Sequence, residues 1–297
     1  MSVLPSLRRL ALLFSLAGSA LPLAAETSPG RPQPQADSPV VAPAVQLAAL
    51  AEALRIGDTV DVMRDEGLEY GASLEDELFP GRGGARWTAV VGLIYDIDTM
   101  RKRFDAAFAA ELGQDPAAIA RMLDFFGSAR GQRIVGLEID ARRALLNEST
   151  EEAAKVSVED MAAKKDPRLV LLRQFAEASD LIELNVAGAM NANLAFYRGM
   201  AEAAAFDEPM TEEQILSDVW AQEPDVRKET EDWLYPYLAL AYGPLSDDDL
   251  HAYIDFSKSP EGRRLNAATF RAFDAVFSAI SQDLGRAAAR QMQGEDI

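Results

Sequence analysis

From Ala44 onward, apolar residues recur with the period of a helix. Leu47, Leu50, Ala51 and Leu54 share one face, as do Trp87, Val90, Val91, Ile94 and Tyr95, and Met100, Phe104, Ala107 and Phe108 continue the pattern. Helix starts are marked chemically. Asp115-Pro116 sets an N-cap before a first-turn proline, and Thr211-Glu212-Glu213-Gln214 and Ser246-Asp247-Asp248-Asp249 resemble capping boxes. Stops are marked by Asp166-Pro167 after the segment 150–165 and by Gly243-Pro244 after the segment 225–242. Alternation bounded by hairpin turns is absent; VVGLIY (90–95) is the one stretch where a strand is conceivable, and its neighbours fit a helix better. The expected fold class is all-α.

The start of the chain breaks this pattern. Arg8 and Arg9 precede an apolar run from Leu10 to Leu23, and small residues at Ala24-Ala25 follow. That order is expected of a signal peptide over 1–25, leading to a periplasmic or secreted, soluble protein, with an uncleaved anchor as the rival reading. The Arg8-Arg9 pair leaves the twin-arginine route open beside the general one. Residues 26–43 carry five prolines and little to bury, so they read as an extended spacer. No later apolar stretch is long enough to span a bilayer.

An internal repeat organises the rest. Asp124-Phe125-x-x-Ser128-x-x-Gly131-x-Arg133-Ile134 matches Asp255-Phe256-x-x-Ser259-x-x-Gly262-x-Arg264-Leu265, each pair 131 positions apart. The register extends outward, with Ile119 answering Leu250 and Ala144 answering Ala275. With two residues inserted, Phe104 and Phe108 answer Trp233 and Tyr237. Separately, Leu50-Ala51-Glu52-Ala53 echoes Phe175-Ala176-Glu177-Ala178. The expected organisation is two related helical units, 44–148 and 149–297, the second opening with a connecting helix. The motif itself reads as a corner between two helices. Its serine caps the second helix, Pro260 takes the first helical position, and Gly262 lets a neighbouring helix approach.

The stretch LSDDDLHAYIDFSKSPEGRRL resembles the signature of a periplasmic family called domain of unknown function 2059, over residues 245–275. The first copy is a weaker match, since Ala129 and Arg130 replace the proline and its follower. The resemblance implies an all-helical exported protein. It implies no activity and supplies no catalytic residues.

Composition narrows the chemistry. With no cysteine there is no disulfide, thiolate zinc site, thiol nucleophile or lipid acceptor. The net charge of −19 becomes −21 on loss of the leader, with 18 acids against 12 bases over 44–148 and 28 against 14 over 149–297. Such a field repels phosphate backbones and anionic headgroups, which argues against nucleic acid and membrane surfaces and leaves a cationic partner or plain solubility. No cofactor is implied.

Candidate chemistry is sparse. His251 is the only histidine; Asp247 and Asp255 flank it at one-turn spacing, yet it falls on the wet side of its helix, and no metal site is expected. The Ser-x-x-Gly corner has a capping role that outweighs anion binding by Arg263 or Arg264. Pro80-Gly81-Arg82-Gly83-Gly84 lacks the ending of a phosphate loop, and Asp58, Asp61 and Asp65 lack the spacing of a calcium loop. The stripe Asn185, Gly188, Ala192, Ala195 and Gly199 suits close helix packing, or an amide-lined pocket. The aromatic set Trp220, Trp233, Tyr235, Tyr237 and Tyr242 is the best pocket candidate, with Trp233 and Tyr237 on one face and Pro236 expected to kink the helix. The expected function is a non-enzymatic binding or interaction module of the bacterial envelope, for an unidentified protein or small ligand. The alternative is a carboxylate-dependent enzyme acting on a wall-derived substrate. Homo-oligomerisation stays open.

Overall fold

The computed structural model describes residues 43–206 and 208–294. The signal-peptide segment and the spacer lie outside them, apart from Pro43. In chain order the helices are α1 (Pro43–Ala53), α2 (Ile56–Leu78), α3 (Gly84–Ile94), α4 (Ile97–Leu112), α5 (Pro116–Phe126), α6 (Ala129–Ala144) and α7 (Glu148–Lys164). They continue with α8 (Pro167–Ala178), α9 (Leu181–Glu202), α10 (Glu212–Trp220), α11 (Glu223–Tyr242), α12 (Asp247–Lys258) and α13 (Pro260–Gln293). Among the described residues there is no strand, and no helix is long and apolar enough to cross a membrane. VVGLIY is helical: Trp87 and Val91 are buried, and the Trp87 indole donates to the Gly71 carbonyl at 2.6 Å.

The caps explain where the helices begin. Asp115 accepts from the Ala118 amide at 3.0 Å, and Thr211 with Gln214 completes a reciprocal capping box. Ser246 caps α12 by accepting from the Asp249 amide at 3.1 Å, but the Asp249 carboxylate goes to Arg130 at 2.7 Å. A capping box therefore forms at one of the two places where the pattern occurs. Helix α11 runs through Pro236, whose missing amide leaves the carbonyl one turn back without its usual donor.

The two Ser-x-x-Gly corners are built alike. Ser128 Oγ accepts from the Gly131 amide at 3.1 Å and donates to the Phe125 carbonyl at 2.6 Å. Ser259 Oγ accepts from the Gly262 amide at 3.0 Å and donates to the Phe256 carbonyl at 2.6 Å. Each hydroxyl ties the end of one helix to the start of the next. A Cβ on Gly131 would sit 2.3 Å from the Phe125 carbonyl oxygen, and one on Gly262 would sit 2.0 Å from that of Phe256. The glycines are needed because the preceding helix turns back onto them.

The corners also meet. Phe125 and Phe256 stack at 4.2 Å with their planes 19° apart. Arg264 donates to Asp115 at 2.7 Å and to the Glu111 carbonyl at 3.2 Å, ahead of α5. Arg133, its counterpart in the motif, donates to the Pro244 carbonyl at 2.7 Å, ahead of α12. Each motif's arginine thus reaches the start of the other half's equivalent helix.

The order of contacts in α1–α6 recurs in α8–α13. Helix α1 packs on α5 as α8 does on α12; α2 packs on α3, α4 and α6 as α9 does on α10, α11 and α13. Helix α4 lies against α13 and α11 against α6, so each half's sixth helix packs on the other half's fourth. Two residues link the first two helices of each half, and the second of them is left-handed: Arg55 at φ 52° and Asp180 at φ 50°. Phe104–Phe108 and Trp233–Tyr237 are both stacked pairs, at 5.1 Å and 4.9 Å. One hydrophobic core runs through both halves, from Leu50 and Trp87 to Phe273 and Leu284. Helix α7 joins the halves and packs on α11.

Candidate functional site

Helices α2, α6, α7 and α11 enclose a cleft of about 590 Å³. Its walls hold six carboxylates, from Glu66, Glu69, Glu148, Glu151, Glu229 and Asp232, against two cations, Arg142 and Lys155. Three carboxylates have a cation in reach. Arg142, only 7% exposed, grips Glu66 with both sides of its guanidinium, the Nε–Oε1 distance being 2.7 Å. Lys155 holds Glu151 at 2.7 Å, and Lys228 holds Asp232. Glu69 and Glu148 have no cationic partner among the described residues. The cleft is therefore acidic, and its excess charge faces the opening.

The apolar wall is Trp233, stacked on Tyr237 at 4.9 Å with the rings 9° from parallel. Tyr237 is buried beneath it, and its hydroxyl reaches the Glu138 carbonyl at 3.4 Å. Tyr70 lines the opposite wall, and its hydroxyl oxygen, shut off from solvent, has no hydrogen-bond partner. Burial pushes the Tyr70 phenol well above its ordinary range, with Glu77 adding to the effect, so it stays a neutral donor.

Below this wall lies Glu138. Its Oε1 accepts from Tyr242 at 2.6 Å and from Tyr253 at 3.0 Å. Part of the residue reaches the surface while its carboxyl end is packed among the rings, and the carboxyl end sets the titration. Burial pushes this carboxyl up to about 7, against the opposing pull of the two tyrosine hydroxyls. Glu138 does not line the cleft.

The five aromatic candidates are not gathered at one place. Trp233 lines the cleft and Tyr237 supports it. Tyr242 is fully buried and serves Glu138. Tyr235 is half-buried, with the Arg173 guanidinium 6.0 Å from its ring centre. Trp220 ends α10 and is 64% exposed, away from the cleft lining.

The chain matches no family model, no curated protein and no solved structure.

Other sequence candidates are satisfied internally. The amides of Gly83 and Gly84 both donate to Glu75 Oε1 at 2.9 Å, so the glycine-rich loop holds a carboxylate of its own chain. At the Ser259 corner, Arg264 is committed to Asp115. His251 is exposed, with Nδ1 2.7 Å from the Asp247 carbonyl of its own helix, and Asp247 pairs with Arg168. The small-residue stripe divides. At Gly199 a Cβ would sit 2.2 Å from the Gln282 carbonyl, so α9 and α13 touch there, whereas a Cβ at Gly188 would meet nothing within 4 Å.

Proposed function

We propose that the chain is a non-enzymatic binding protein of the bacterial envelope that holds a small organic cation in the acidic cleft. The observation carrying this is the unbalanced carboxylate wall, with Glu69 and Glu148 lacking cations, facing the stacked pair Trp233–Tyr237. Carboxylates attract the charge of an ammonium group, and the indole face accepts it by cation–π attraction. The leader-like segment 1–25 and the resemblance over 245–275 support export. The matching corners, their shared offset of 131 positions and the recurring contact order support a duplicated six-helix unit.

The enzyme alternative has one observation in its favour, the Glu138 carboxyl held near 7. Tyr242 and Tyr253 donate to that carboxyl, Tyr237 reaches the main-chain carbonyl of the same residue, and Glu138 lies outside the cleft lining, which favours a structural role.

Calorimetric titration of the full chain with spermidine tests the binding reading. One saturable site is expected, weakened at least about tenfold in the Glu69→Gln, Glu148→Gln double variant through loss of two charge-assisted contacts. Equal binding by both proteins, or no saturable heat, would overturn it.

A further inference from the structure

Helices α9 and α13 run side by side in the same direction: Asn191 meets Asp274, Glu202 meets Arg286, and Ala203 accepts from Gln293. They touch backbone to backbone at two glycines, since a Cβ on Gly199 or on Gly285 would lie 2.2 Å from a carbonyl oxygen of the facing helix. Nearer the N-terminal end of α9 the face that carries Gly188 is uncovered, although Asn266 still donates to the Ser179 carbonyl at 3.1 Å where that helix begins. Gly188 faces open space there, and a groove of about 160 Å³ lies between Gly188 and the rings of Phe270, Phe273 and Phe277. At its rim Asp274 Oδ1 accepts one hydrogen bond, from Asn191 Nδ2 at 2.9 Å. An ionised carboxylate has about four acceptor positions, so most of its capacity is unused. No cation pairs with it among the described residues, because its neighbour Arg271 is taken by Glu111 at 2.6 Å. Burial pushes the Asp274 carboxyl up, and the Asn191 amide pulls it partly back. A half-buried carboxylate beside an apolar hollow lacks its cation.

We propose that this groove is a second binding site, for a primary amine bearing a short apolar arm, with the ammonium on Asp274 and the arm against the phenylalanine rings. The groove is smaller than the roughly 300 Å³ at which drug-sized pockets begin, so the arm is a few carbons long. A carboxylate-bearing ligand is disfavoured by like charge at Asp274, since the one cation of the lining, Arg271, is paired with Glu111.

The variants suit the test. Gly188→Leu puts a side chain into the hollow from a position where a Cβ meets nothing within 4 Å, and it replaces a mid-helix glycine by a better helix former; its melting temperature checks that it folds. Asp274→Asn keeps the shape and removes the charge. The full chain is titrated with n-pentylamine and, separately, with 1-pentanol, following the backbone amide signals of Gly188 and Asn191 by NMR. Saturable shifts with pentylamine are expected, with affinity at least about tenfold above pentanol. Asp274→Asn brings the amine down to the level of the alcohol, and Gly188→Leu abolishes both responses. Pentanol binding as well as pentylamine, full binding by Gly188→Leu, or shifts that never saturate would each overturn the proposal.

Discussion

At the scale of single residues, Glu138 shows how burial and hydrogen bonding compete. Tyr242 and Tyr253 donate to its charged form, but loss of solvation outweighs them and the carboxyl titrates near 7. In the unfolded chain it loses its proton first, at the ordinary carboxylate value. Between that value and about 7 the folded state therefore holds the extra proton, and this group's contribution to stability falls as pH rises. The contribution present at acidic pH and lost above about 7 is on the order of 3 kcal/mol. Glu138→Gln should flatten the decline in melting temperature between pH 5 and 8; an unchanged decline would place its cause elsewhere. Glu138 and Arg142 escaped attention in the sequence although a signal was there. They are one turn apart, on the stripe that Val135, Ile139 and Leu145 mark as apolar. Charged residues on an apolar face announce a buried polar network.

At the scale of helices, chemistry written into short segments was readable and the spacing between helices was not. Proline, serine and aspartate caps act locally, so Asp115, Thr211 and Ser259 marked their helices from sequence alone. The need for glycine at position 262 was also local, because the helix that crowds it is the one just before it. The stripe from Asn185 to Gly199 behaved otherwise. Its small residues suit either contact or a gap, and which occurs depends on a helix some 80 residues further along. The two glycines should therefore respond in opposite ways. Gly199→Ala forces a methyl into the Gln282 backbone and should cost roughly 2–4 kcal/mol in chemical denaturation. Gly188→Ala should gain up to about 1 kcal/mol through helix propensity. If both variants gain stability, the close approach of α9 and α13 is wrong. The aromatic segment divided for a similar reason: helical spacing put Trp233 and Tyr237 on one face, but only the packing of α6 and α7 on α11 made that face a cleft wall.

At the scale of the whole molecule, the two halves are interleaved. The sixth helix of each half packs on the fourth of the other, and the motif phenylalanines stack where the corners meet. Neither half, on this account, buries its core alone. The repeat of 131 positions pointed to related units, but the exchange of partners between halves is a property of long-range packing that no local pattern encodes. The same packing brings carboxylates from α2, α7 and α11 to one cleft, although they are up to 166 positions apart in the chain, from Glu66 to Asp232. The central claim is that this cleft holds an organic cation against Trp233. The chain has three tryptophans, one at the cleft, one buried at Trp87 and one exposed at Trp220, so three indole N–H signals report on three settings. Adding spermidine while recording them tests the claim directly. The account predicts that the Trp233 signal shifts and saturates while those of Trp87 and Trp220 stay in place. A Trp233 signal that does not move, or three that move together, would contradict it.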